Sequence, residues 1–257
     1  MLTQTRKPFL VGLFWFLVTL FGLLLLRQAY FWQQNSYVDT IVVSINDSNE
    51  DNSVSQEEIK NLVLSQLPSK TLNGMTVAML DRKKIEDFLE MNPYIANAAI
   101  YTDMRHQLRV DIDQRYPILR IVPRNGKGFY LSKEGKKMPA NGLFSARVPV
   151  ATGYIVPNTT QTDTSQSPIT QSLFELATFL TNDPFWYANT EQIYVNPKGD
   201  LILIPKIASH EIILGNTTNL PDKFNRLTTF YQDALNRLGW NKYKTISVKY
   251  QGQIVCR

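Results

Sequence analysis

An uncharged run, Phe9–Leu26 (FLVGLFWFLVTLFGLLLL), constrains this chain more than any other feature. As a helix it would be about 27 Å long, close to the hydrocarbon thickness of a bilayer. No second run of this kind follows, so the sequence predicts one transmembrane helix and one large part outside the membrane. The run is longer than the apolar core of a secretory signal. It leaves through Leu26-Arg27-Gln28-Ala29, which lacks the small-x-small pattern of a cleavage site. Tyr30 and Trp32 read as interfacial aromatics. Arg6 and Lys7 precede the helix, and Arg27 follows it. This bias predicts a cytoplasmic tail over 1–8, an anchor with its interface over 9–32, and the bulk of the chain beyond the membrane.

The remaining stretch of about 220 residues suffices for one large or two small domains. Cys256 is the only cysteine, so no intrachain disulfide and no cysteine-based metal site can form. The net charge of +5 is concentrated at one end. Residues 220–257 hold Lys223, Arg226, Arg237, Lys242, Lys244, Lys249 and Arg257 against Asp222 and Asp233, and the rest of the chain is neutral. A solvated helix face and a docking surface for an acidic partner both fit that pattern. Nucleic acid is excluded by the expected topology.

Residues 38–115 read as a β-α-α-β-β unit. Val38–Ile45 is rich in β-branched residues and predicts a strand. Ser55-Gln56-Glu57-Glu58 is a capping box that starts a helix ending at Pro68. Asp81 is placed to cap a second helix, which stops at Asn92-Pro93. Ile95–Tyr101 and Leu108–Asp113 then predict two strands, and apolar residues fall at every second place in the latter. Tyr116-Pro117 marks a boundary. Beyond it, 116–257 reads as a β-rich domain with helices on one face and a polar, mobile loop at 157–170. Asn196-Pro197-Lys198-Gly199 predicts a hairpin turn. Phe224, Leu227, Tyr231, Ala234 and Leu238 form one stripe of a helix that ends before Gly239. The fold class is α+β.

Little in the chain points to catalysis. His106 and His210 are far apart and read as surface histidines, and Asp111 and Asp113 read as the solvated face of a strand. Nucleotide-loop, nucleophile-elbow, zinc-helix and dithiol motifs are missing from the sequence. The chain therefore reads as a non-enzyme, with no cofactor and no metal expected. The terminal strand Thr245–Tyr250 is the remaining candidate. With little chain after it, it could lie at a sheet edge and accept a partner strand. Gln253–Cys256 could equally fold back on it, or the strand could be internal.

Several stretches resemble the bacterial division family FtsQ/DivIB, in the family's order. They are Asn92–Ala98, Leu108–Pro117, Phe129–Gly135 with Met138-Pro139, Val148–Gly153, Gly199-Asp200-Leu201 with Ile213-Leu214-Gly215, Lys223-Phe224, and Thr245–Tyr250. The resemblance implies a POTRA-like domain at 38–115 and a partner-binding β domain at 116–257. It also implies a septal, single-pass inner-membrane protein with its bulk in the periplasm. Its role would be a divisome scaffold linking early and late septation proteins. The implied partners are FtsB and FtsL-like coiled-coil proteins, with other divisome proteins reached through the POTRA domain. The implied binding residues are Thr245, Ile246, Ser247, Val248, Lys249, Tyr250, Gln251 and Gly252. Ser247 departs from the family pattern, which commonly has Asp there. The alternative is a POTRA-bearing transport or secretion component of the envelope.

Overall fold

The structure is a computed structural model that describes residues 7–34, 37–46, 54–68, 70–124, 126–140, 145–156, 167–207 and 209–257. Most of the loop expected at 157–170 lies outside these residues. Helix α1 runs over Lys7–Gln34. Its side chains are described for 12–28 and for Tyr30, and among the described residues no helix is long and apolar enough to cross a membrane. Within that stretch Phe14, Trp15, Phe16, Phe21 and Leu23 are all more than 60% exposed.

The chain forms two compact units. The first contains β1 (Thr40–Asn46), α2 (Gln56–Gln66), α3 (Arg82–Glu90), β2 (Ile95–Thr102) and β3 (Gln107–Gln114). Local chemistry sets both helix starts. Ser55 Oγ accepts the Glu58 N–H at 3.1 Å, and Asp81 Oδ1 accepts the Lys84 N–H at 3.1 Å. The sheet order is β1-β3-β2, with β1 parallel to β3 in the register Ile41↔Leu108. Every second residue of β3 is buried, and Leu108, Val110 and Ile112 pack with Ile59, Val63, Ile85 and Leu89. The outer face of that strand is polar. Asp113 accepts from Asn46 and Asn97, and Asp111 accepts from Tyr101.

The second unit has one nine-stranded sheet. Its strands are β4 (Pro117–Ile121), β5 (Phe129–Ser132), β6 (Lys137–Pro139) and β7 (Val150–Gly153), then, after α4 (Pro168–Thr181) and α5 (Pro184–Asn189), β8 (Thr190–Val195), β9 (Leu201–Pro205) and β10 (Glu211–Gly215). Next come α6 (Leu220–Thr229), a π-helical turn (Phe230–Leu235), α7 (Asn236–Leu238), β11 (Thr245–Ser247) and β12 (Val255–Cys256). The spatial order is β12-β11-β10-β9-β8-β7-β4-β5-β6. Leu119, Ile193, Leu203, Ile212 and Ile246 from the strands share one core with Leu173, Leu176, Phe224 and Leu227 from the helices. Fully burying one such aliphatic side chain contributes roughly 1.5–3 kcal/mol. The β6 edge ends in Pro139, which has no N–H to offer a further strand.

Three expectations are corrected here. The C-terminal helix is not one regular stripe. The π-helical turn advances the chain by an extra residue, so Leu235 is buried while Leu238 is 47% exposed. His210 is not a surface histidine. It is buried, with Nε2 2.7 Å from the Tyr231 hydroxyl. The third correction concerns the terminal strand.

Candidate partner-docking edge

Thr245–Tyr250 is not the edge of the sheet. Only Thr245, Ile246 and Ser247 are in β11, which has a neighbour on each side. It runs parallel to β10 with Ile212 opposite Ile246, and antiparallel to β12 with Cys256 opposite Ile246 and Val255 opposite Ser247. The chain folds back, and the short strand Val255–Cys256 forms the edge. A readable sign of this turn was Gln251-Gly252 just before Ile254-Val255-Cys256. Gly252 adopts a φ of +70°, a conformation that glycine takes without steric cost.

The ladder determines which backbone groups face outward. Thr245 and Arg257 exchange two hydrogen bonds, each 3.0 Å. Pairs in an antiparallel ladder alternate, so Ile246 and Cys256 form a non-hydrogen-bonded pair and Ser247 and Val255 a hydrogen-bonded one. Ile246 points its backbone groups toward β10. Cys256 points its N–H and C=O away from β11, at the outer rim of the sheet.

The other residues predicted to bind a partner separate into distinct environments. Ile246 and Val248 are fully buried, and the Val248 N–H donates to Ile213 O at 3.0 Å. These two side chains hold the hairpin to the core and are not available to a partner. Tyr250 is 55% exposed, and Lys249, Gln251 and Gly252 are also exposed. The alternation that buries Ile246 and Val248 therefore breaks at Tyr250, because regular strand geometry ends at Ser247.

Asp200, Lys223 and Arg226 also shape this end of the sheet. Lys249 Nζ contacts both Asp200 carboxylate oxygens, at 2.8 and 2.9 Å. That contact holds the Asp200 carboxyl below the usual carboxylate range, helped by Asn196. Lys223 on α6 is buried and donates to Leu214 O, Asn216 O and Asn216 Oδ1 at 3.0, 2.8 and 3.0 Å. Burial lowers its pKa, and its donors are taken up by Leu214 near the end of β10 and by Asn216 just after it. Arg226, one helical turn later, reaches the β11–β12 link. Asn219, Asp222, Lys223, Arg226, Lys249 and Gln251 line a cleft of about 180 Å³ there.

A larger cavity, about 410 Å³, opens beside the π-helical turn. Trp186 and Tyr231 pack edge to face in its wall with centroids 5.0 Å apart, and Trp240 stacks edge-on to Tyr231 at 5.3 Å. The carboxylate at its rim, Asp183, caps α5 by accepting from the Phe185 and Trp186 N–H groups, each at 3.1 Å. Its charge thus serves the helix start.

Two family models match the chain. The one described as FtsQ/DivIB, C-terminal related, covers residues 116–257, and a POTRA-like domain covers residues 37–113. No curated protein sequence matches it.

Proposed function

The chain belongs to the FtsQ/DivIB family, a family of non-enzymatic division scaffolds, and on that premise we propose that it captures the FtsB/FtsL-like pair at its C-terminal edge. One extended segment of the pair would add as a further strand outside Val255–Cys256. Backbone hydrogen bonds to Cys256 would supply affinity, and the exposed Lys249, Tyr250 and Gln251 would supply side-chain contacts. The observation that carries this reading is the outward N–H and C=O of Cys256 at one rim of the sheet, opposite a rim closed by Pro139.

The same reading includes a membrane anchor over 9–32, with the two folded units outside the cytoplasm and concentrated at the septum. The exposed Phe14, Trp15, Phe16 and Phe21 support it, since a bare apolar helix surface calls for an apolar surrounding. The scaffold would link early and late septation proteins, with the POTRA-like unit serving further divisome contacts and no reaction catalysed.

Co-purification of the full-length chain with the coiled-coil pair tests the proposal. Cys256→Pro removes an outward donor and no ladder bond, so it should abolish capture and leave the melting temperature nearly unchanged. Capture that survives Cys256→Pro would overturn the edge. A wild-type chain that fails to capture the pair would overturn the partner and bring forward the envelope-transport reading.

A further inference from the structure

We propose that Arg226 is the positioning residue of the docking hairpin, an inference that rests on the edge-capture reading above. Arg226 lies on α6, and its side chain is 17% exposed. Its Nε donates to Asp222 Oδ2 at 3.0 Å, one helical turn back. This contact fixes the plane of the guanidinium. One terminal nitrogen then donates to Tyr250 O at 3.0 Å and to Gln253 O at 2.5 Å, and the other donates to Val248 O at 3.3 Å.

The three acceptors share one property. They are carbonyls of the link between β11 and β12, where the regular ladder has stopped. A carbonyl in such a link has no strand partner to fix its direction. Arg226 supplies the missing donors from a single rigid group. By holding Val248 O and Gln253 O together, it sets where the chain leaves one strand and where it joins the next. The register Ile246↔Cys256, and with it the outward direction of the Cys256 N–H, follows from that closure.

The geometry requires arginine specifically. A guanidinium presents five donors in a fixed planar fork, while an ammonium offers three on a flexible stem. Lysine at 226 would keep the charge and lose the simultaneous reach to Asp222, Val248, Tyr250 and Gln253. Charge and positioning are therefore separable. If Arg226 served only to attract an acidic partner, lysine would replace it.

The test uses the full-length chain and the variants Arg226→Lys, Arg226→Gln and Asp222→Ala. Two readouts are taken well below the melting temperature, so that loss of overall stability does not register. The first is amide exchange in the free protein at Val248 and Arg257, whose N–H groups donate to Ile213 O and Thr245 O at the two ends of the link. The second is the dissociation rate of the FtsB/FtsL-like pair. Both Arg226 variants should accelerate exchange at these two amides while β8–β10 stay protected, and dissociation should quicken on the order of tenfold through lost preorganisation. Asp222→Ala, which removes only the acceptor of Nε, should fall between them and wild type. Arg226→Lys with wild-type dissociation, or unchanged exchange at Val248 and Arg257 in both Arg226 variants, would overturn the proposal. If the wild-type chain does not capture the pair, the function falls separately, and the exchange comparison still decides whether Arg226 holds the link.

Discussion

Lys249 Nζ grips both carboxylate oxygens of Asp200, at 2.8 and 2.9 Å, and so ties the segment after β11 to the turn that opens β9. The two residues are far apart in sequence, and the pair is partly exposed at 40% and 18%. Asp200→Asn should therefore cost only about 0.5–1 kcal/mol in urea unfolding. The Asp200 carboxyl is held below its ordinary value, so the unfolded chain binds more protons in the acid range. The contribution is present above about pH 4 and is lost as pH falls through the depressed folded value. An acid titration of stability should show a shallower acid limb in the variant than in wild type.

Glu86 and Glu90 close an edge in the first unit. They sit one turn apart on α3, and β2 lies at the rim of its sheet. Glu86 Oε1 accepts the Ile100 N–H at 2.8 Å, and Glu90 Oε1 accepts the Ala98 N–H at 3.3 Å. Two amides that a passing strand could use are thereby occupied. Glu86→Ala should destabilise this unit by about 1–2 kcal/mol through loss of a charge-assisted bond. Glu86→Ala combined with Glu90→Ala should add concentration-dependent association, visible in sedimentation velocity.

His210 gives the second unit an acid sensitivity of its own. Burial lowers its pKa, with the Trp240 backbone opposing, and among the described residues Nδ1 has no hydrogen-bond partner. The unfolded chain takes up a proton near pH 6.5 that the folded chain refuses until lower pH. Stability is thus fully present above about 6.5 and falls as pH drops toward the depressed folded value. His210→Gln should flatten the denaturation midpoint of this unit across that window.

Much of the fold was legible because its signals are local. Ser55 and Asp81 name their helix starts, the alternation in Leu108–Asp113 names a half-buried strand, and Asn196–Gly199 names a hairpin. The short helix α5 was missed, although Asp183-Pro184 carries both an N-cap and a proline at the first position. The π-helical turn was not legible, since a five-residue step lies outside both the helical and the strand period. The edge of the sheet was misread by one strand. Whether Thr245–Ser247 lies at a rim depends on whether the last residues fold back, and that is decided by long-range pairing, not by the strand's own pattern. The roles of Glu86 and Glu90 are equally tertiary, because a helix glutamate shows no sign in sequence of the amide it will cap.

Residue-resolved amide exchange at Cys256, in the full-length chain with and without a saturating FtsB/FtsL-like pair, is the most direct test of strand capture. Among the described residues the Cys256 N–H has no ladder partner, whereas the Arg257 N–H already donates to Thr245 O. Strand addition predicts strong new protection at Cys256 and little change at Arg257. Unchanged exchange at Cys256 in the saturated complex would contradict capture at this edge.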